Sequence, residues 1–167
     1  MSDDGSVDPT ADPTAGPVVV EVAEVVTAIV RGEVAVSGLR DFFDSSFQVL
    51  PQVIGEQGAT IVGPAYALFR SISEESWDLD VGFAVDRELR PQGEVVADRL
   101  PAGRVARVVH VGGFDGLGDA WDRLGSWIEE QGANAGPARW EVYHTRPAPD
   151  MDPSLLRTEL NWLLSPS

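Results

Sequence analysis

The chain has 167 residues, with 12 basic side chains (all arginine) against 27 acidic ones, two histidines and no cysteine, for a formal net charge of −15. Lacking cysteine and lysine, it has no thiol nucleophile, disulfide, thiolate metal site, Schiff-base amine or phosphate-loop lysine, and so acidic a chain is repelled by the phosphate backbone of nucleic acids. An apolar fraction of 43% supports a real core and no apolar run is long enough to span a membrane; Met1-Ser2-Asp3-Asp4 lacks the basic and apolar regions of a secretory leader, so a cytoplasmic protein is expected.

Residues 1–16 carry four aspartates, no basic group and little apolar surface beyond Val7, which predicts a disordered acidic tail before a single domain over 17–167. Residues 18–31 are rich in Val and Ile with a polar break at Ala23-Glu24, and predict one long or bent strand. Leu39, Phe42, Phe43, Leu50, Val53 and Ile54 recur at helical spacing over 37–57. Ser37 is the expected N-cap and Gly58 the stop, and Pro51 is expected to kink this helix or split it in two. Residues 66–72 and 79–85 read as strands joined by Ser73-Glu74-Glu75-Ser76. Strand-like segments return at 95–100 and 104–111, with Pro101-Ala102-Gly103 as a turn. A second helix is predicted from Asp115, as N-cap, through Gln131, with Leu117, Ala120, Trp121, Leu124 and Ile128 on its apolar face and Gly132 ending it. Residues 140–145 and 155–164 are the last predicted strands, separated by a loop at 147–153.

The two halves share more than this order. Glu56-Gln57-Gly58-Ala59 recurs as Glu130-Gln131-Gly132-Ala133, and Gly63-Pro64-Ala65 recurs as Gly136-Pro137-Ala138, both after a helix. Two matches in the same order and context argue for an internal duplication, with one repeat over about 18–88 and the other over about 94–164. Aligning Phe69 with Tyr143 sets Tyr66 against Trp140, Ala67 against Glu141, Asp80 against Glu159 and Phe83 against Trp162. The expected fold is α+β: a duplicated strand–helix–strand–strand module with pseudo-twofold symmetry, an antiparallel sheet with helices on one face, and a ligand cleft between the repeats.

Several segments resemble those of GyrI-like small-molecule-binding domains. Gly63-Pro64-Ala65-Tyr66-Ala67-Leu68-Phe69 is similar to the family's GPPFALY segment, and His110-Val111-Gly112-Gly113-Phe114 to its HxGPY turn, with Gly113 where proline is usual. Gly136-Pro137 followed by Glu141-Val142-Tyr143 resembles GPxxEVY, and residues 80–85 and 158–162 resemble the closing strands of the two repeats. The resemblance spans about 18–164. It implies a duplicated α+β module with a small-molecule pocket, as in the effector-binding halves of BmrR- and Rob-type transcription activators. It also implies a stand-alone form, because no segment has room for a DNA-binding helix-turn-helix. Hydrolysis of electrophilic cyclopropane-containing toxins and inhibition of DNA gyrase are further activities within the family.

Glu141 is the first candidate residue. Charged strand residues usually face solvent, so taken alone it reads as water-facing or paired with an arginine such as Arg107. The family pattern instead turns the matching glutamate into the pocket, where a carboxylate among apolar groups has a raised pKa and serves as counter-ion to a cation or as a general acid/base. Tyr143 shares its face by alternation, and Ala67 and Phe69 are the counterparts in the first repeat, so the site should hold one carboxylate and one phenol. Trp162 is a further candidate for ligand contact, as are Phe69, Trp140 and Tyr66, although Trp140 joins Glu141 on one face only if the strand bulges. Trp121 reads as structural. His110 and His144 show no metal or haem spacing, Gly112–Gly118 lacks the phosphate-loop pattern, and no cofactor or metal is expected.

Binding of an apolar or cationic aromatic small molecule is therefore the expected function. Hydrolysis by Glu141 of an electrophilic aromatic compound is the alternative, and inhibition of a basic protein partner such as DNA gyrase is the third. The protein is read as leaning away from enzymatic activity, with no direct nucleic-acid or membrane binding and with room for a protein partner.

Overall fold

A computed structural model describes residues 16–144, 152 and 156–165. The predicted tail up to residue 15, most of the 147–153 loop, Thr145 and Leu155 lie outside the described residues. The elements are β1 (Val18–Val22), β2 (Val25–Ala35), α1 (Leu39–Glu56), β3 (Ile61–Ile72), β4 (Ser76–Val85), β5 (Val95–Leu100), β6 (Gly103–Val111), α2 (Leu117–Glu130), β7 (Ala135–Tyr143) and β8 (Arg157–Leu164). They belong to an α+β fold whose described residues divide into two compact units, one of residues 23–102 and one of 16–22 together with those from 103 on.

In the 23–102 unit the sheet order is β3-β4-β2-β5, all neighbours antiparallel, with α1 packed against β2 and β4. In the other unit the order is β7-β8-β6-β1, again antiparallel, with α2 packed against β6 and β7. Each unit is thus a strand–helix–strand–strand core with one additional edge strand. The same irregularity recurs as well: the register slips between Ile61 and Ala65 in β3 and between Ala135 and Arg139 in β7.

The duplicated Glu-Gln-Gly-Ala segment has a mechanical role. Gly58 and Gly132 both adopt φ of 73°, a left-handed conformation that costs a side chain about 1 kcal/mol. Each amide closes back on the helix at 3.0 Å, Gly58 to the Gly55 carbonyl and Gly132 to the Glu129 carbonyl, and the next amide follows, Ala59 to Ile54 at 3.0 Å and Ala133 to Ile128 at 3.1 Å. This pair of bonds satisfies helix-end carbonyls that would otherwise lack a partner, and it stops both helices in the same way.

Residues 18–31 form two strands rather than one, because the polar Ala23-Glu24 break releases β1 to pair with β6 while β2 pairs with β4 and β5. Neither Ser37 nor Asp115 caps a helix. Each lies in a short 3-10 turn, and Gly38 and Gly116 hold the N-cap positions without a side-chain bond. Pro51 does not split α1. It is exposed, and Leu50, Val53 and Ile54 beside it are all buried, so core packing keeps the helix continuous through the missing backbone donor.

The core of the α2 unit comprises Ala106, Ala120, Trp121, Leu124, Ile128 and Leu160, with Val108, Leu117, Trp127, Ala133, Trp162 and Leu164 packed around it. These residues define the α2-facing side of the sheet, on which the candidate site is built.

Candidate functional site

From Arg139 to Tyr143 the register of β7 against β8 is unbroken: Arg139 faces Trp162, Trp140 faces Asn161, Glu141 faces Leu160, Val142 faces Glu159 and Tyr143 faces Thr158. Strict alternation therefore puts Arg139, Glu141 and Tyr143 on the side covered by α2, together with Leu160 and Trp162, and turns Trp140 and Val142 to the other side. The slip in β7 lies before Arg139, outside the stretch where a bulge would bring Trp140 beside Glu141.

Glu141 is only 6% exposed, so its carboxylate has left bulk water. The Trp121 indole N–H donates to Oε2 at 2.8 Å and the Tyr143 hydroxyl donates to Oε1 at 2.8 Å. Burial pushes its pKa up, while the two donors and the charges of Arg139 and His110 pull it down; burial prevails and the pKa lies above the ordinary glutamate value. Burial also raises the Tyr143 phenol, as do the Glu141 charge and the hydrogen bond to it, so Tyr143 stays a donor.

The aromatic walls come from one helix residue and one strand residue. Trp121 and Trp162 meet edge-to-face, their ring centroids 5.6 Å apart at 80°. Trp162 is held by its own N–H, which donates to the Gly136 carbonyl at 2.8 Å. Gly136 lies within the β7 irregularity, where a Cβ would sit 2.9 Å from the Leu163 carbonyl oxygen, so glycine is required for the strands to approach. The half-buried Arg139 places its guanidinium carbon 5.1 Å from the centroid of each tryptophan ring.

The opposite face of the sheet carries a different cluster. Arg107 Nε donates to Asn161 Oδ1 at 2.7 Å and lies 3.6 Å from Glu159 Oε1, so Arg107 serves Glu159 and not Glu141. His144 Nε2 lies 3.2 Å from Glu159 Oε2, and Asn161 donates to Oε1 at 3.1 Å. Burial works to raise the Glu159 pKa, but His144, Arg107 and Asn161 together hold it below the ordinary value. Trp140, 3% exposed, is packed on this side.

In the 23–102 unit, Ala67 and Phe69 are buried, and Phe69 meets Trp77 edge-to-face at 5.6 Å. Tyr66 turns to the other side of β3, where its hydroxyl donates to Thr27 Oγ1 at 3.0 Å; burial raises its pKa. Asp80, the counterpart of Glu159, is clamped by Arg31 at 2.9 Å and Arg70 at 2.6 Å. Of the predicted ligand-contacting residues, then, Glu141, Tyr143 and Trp162 converge on the α2 side of one sheet, Trp140 lies on the reverse of that sheet, and Tyr66 and Phe69 belong to the other unit on opposite faces of β3.

Sequence reasoning missed two members of the site. Trp121 reads as core, yet its N–H holds Glu141; a buried indole needs an acceptor, and that need was the available signal. Arg139 was legible by alternation, being two residues before Glu141 on the same strand. His110 faces the same side, but its ring bonds the Gly113 carbonyl at 3.0 Å.

The arrangement can present a negative charge among aromatic rings or exchange a proton at a buried carboxyl. Comparison with known proteins agrees with a binding module. The GyrI-like small molecule binding domain matches residues 17–163, and the chain belongs to that family. Among solved structures, the C-terminal domain of EcmrR is similar at 19% identity with a TM-score of 0.79, covering 91% of this chain and 98% of that one. In a DNA complex of EcmrR the identity is 20% and the TM-score 0.75 over 91% of this chain, which spans only 58% of that protein. A hydrolase from Listeria innocua (15% identity, TM-score 0.69, 92% and 94% covered) and SAV2435 bound to tetraphenylphosphonium (10%, 0.65, 90% and 94%) share the fold. No curated protein sequence matches significantly. Among the described residues, no helix is long and apolar enough to cross a membrane.

Proposed function

We propose that this protein binds an apolar or cationic aromatic small molecule on the α2 side of β7 and β8, with Glu141 as the central polar anchor and Trp162, Trp121 and Tyr143 around it. The observation that carries this reading is the Glu141 carboxyl itself. It is buried, raised in pKa by that burial, and, among the described residues, oriented by two neutral donors instead of being neutralised by an ion pair. A purely structural acidic residue gains little from such a position, because desolvation opposes its charge. A delocalised cation brings a counter-charge into contact with the carboxylate at a low desolvation cost of its own. Cytoplasmic action fits an acidic chain without cysteine.

Titration of intrinsic tryptophan fluorescence with lipophilic cations and neutral aromatic compounds tests this reading, since Trp121 and Trp162 line the site. Saturable quenching that Glu141→Gln weakens for cations, and leaves nearly unaltered for neutral compounds, is the expected result. Quenching indifferent to Glu141→Gln would remove Glu141 from the site.

A hydrolytic reading uses the same groups. It is favoured by the raised Glu141 carboxyl beside the Tyr143 hydroxyl, a pair able to protonate a strained ring or guide a water, and by the fold shared with the Listeria hydrolase. Mass spectrometry of the titration mixtures with reactive cyclopropane compounds distinguishes the two. Ring-opened product lost in Glu141→Gln supports hydrolysis, and unchanged compound supports binding alone.

A further inference from the structure

The corner formed by Trp121 and Trp162 is not empty. The Arg139 guanidinium stands over both rings, 5.1 Å from each centroid, on the same strand face as Glu141. Burial disfavours its charge, while Glu141 and Asp122 support that charge through their fields. Two indole faces and a neighbouring carboxylate are the groups a planar or delocalised organic cation would use, and a side chain of the protein already uses them. The equivalent strand position in the 23–102 unit is Ala65, facing Phe83, so the scaffold does not require a large side chain there.

We propose that Arg139 is the resident cation of the Glu141 site and sets its charge preference. Neutral aromatic molecules enter beside it, whereas aromatic cations bind only by displacing it from the two indoles. The inference rests on the small-molecule-binding reading above. Displacement is open to Arg139 because its side chain is long and half-buried, and its guanidinium can retain water as it leaves.

Calorimetric titration of the wild-type protein, Arg139→Ala and Arg139→Gln with tetraphenylphosphonium and with neutral triphenylphosphine oxide tests the proposal. Both variants should bind tetraphenylphosphonium about tenfold more tightly than wild type, on the scale of one desolvated cation–π contact. Affinity for the oxide gauges the packing change, and the ratio of cation to oxide affinity should rise by about the same tenfold in both variants. Arg139→Gln keeps much of the stem, so the comparison survives if Arg139→Ala folds poorly. Equal or weaker binding of the cation by the variants overturns the role of Arg139 and leaves the binding reading intact. Binding of the oxide alone by all three proteins does the same. Failure of both probes with all three proteins overturns both. The Arg139 Nε–H resonance gives a ligand-independent reading. It should be shifted upfield by the two rings and return toward its ordinary position as tetraphenylphosphonium is added; an unshifted resonance contradicts the proposal.

Discussion

The two units place different chemistry on one scaffold. In the 23–102 unit, Phe47 of α1 meets Phe83 of β4 edge-to-face, with ring centroids 5.8 Å apart at 70°. In the other unit, Trp121 of α2 meets Trp162 of β8 in nearly the same geometry, at 5.6 Å and 80°. On the adjacent strand, Ala65, Ala67 and Phe69 face the first pair's partner strand, and Arg139, Glu141 and Tyr143 occupy the matching register in the second. At all five positions one unit is apolar and the other carries a hydrogen-bonding or charged group. The polar set also comes as a set: Glu141 arrives with the indole N–H and the phenol that satisfy it. A buried carboxylate without those donors would cost more than a marginally stable fold tolerates. The candidate site thus lies in the positions where the two units differ.

Truncating the shared core should have the largest effect. Leu50 and Leu124 are equivalent, 0% and 1% exposed. Leu50→Ala and Leu124→Ala should each cost about 2–5 kcal/mol in urea unfolding. A large difference between them would mean that the two helices do not play equal parts.

The polar set should be sensitive to one atom. Trp121→Phe keeps most of the ring and removes the donor to Glu141. It should cost about 1–3 kcal/mol through the unsatisfied carboxylate oxygen. It should also push the Glu141 pKa further up, because that hydrogen bond lowers it. If Trp121→Phe were neutral in stability and in the Glu141 titration, the hydrogen bond would have no energetic role.

Glu141 and Glu159 sharpen the contrast between the two faces of one sheet. The Glu141 pKa is raised on folding, so the folded state binds more protons and stability falls as pH rises from the ordinary glutamate value through the raised one. The Glu159 pKa is lowered, so its contribution is present above the ordinary value and is lost as pH falls through the lowered one. Glu141→Gln should therefore gain stability relative to wild type as pH rises, and Glu159→Gln should lose it over the lower window. Unfolding curves across pH for both variants check the opposite signs.

The smallest effects should come from the shared caps. Gly58→Ala and Gly132→Ala should each cost about 1 kcal/mol, since both glycines hold left-handed backbone. Unequal losses in thermal melts would separate the two helix ends.

Much of this was legible in the amino-acid order. Helical spacing located α1 and α2, and the repeated Glu-Gln-Gly-Ala announced both stops, because a glycine after an amphipathic run has few other uses. Alternation placed Tyr143 with Glu141 and set Trp140 apart. The pairing of β1 with β6 was not legible, since a partner so distant in the chain leaves no local periodicity. The caps at Ser37 and Asp115 were misplaced because short 3-10 turns precede both helices and take up those residues. The roles of Trp121 and Arg139 depend on side chains from separate elements meeting, which no single window of sequence contains.

The most direct test of the account is the titration of the Glu141 side-chain carboxyl, followed by carbon-13 chemical shift in the wild-type protein with Glu141→Gln to assign the signal. The expected result is a midpoint above the ordinary glutamate value that moves down when tetraphenylphosphonium binds to Arg139→Gln, where the added cation replaces no resident charge. A midpoint at or below the ordinary value, indifferent to the cation, would mean that Glu141 is a solvated or ion-paired surface acid, and the site described here would not be one.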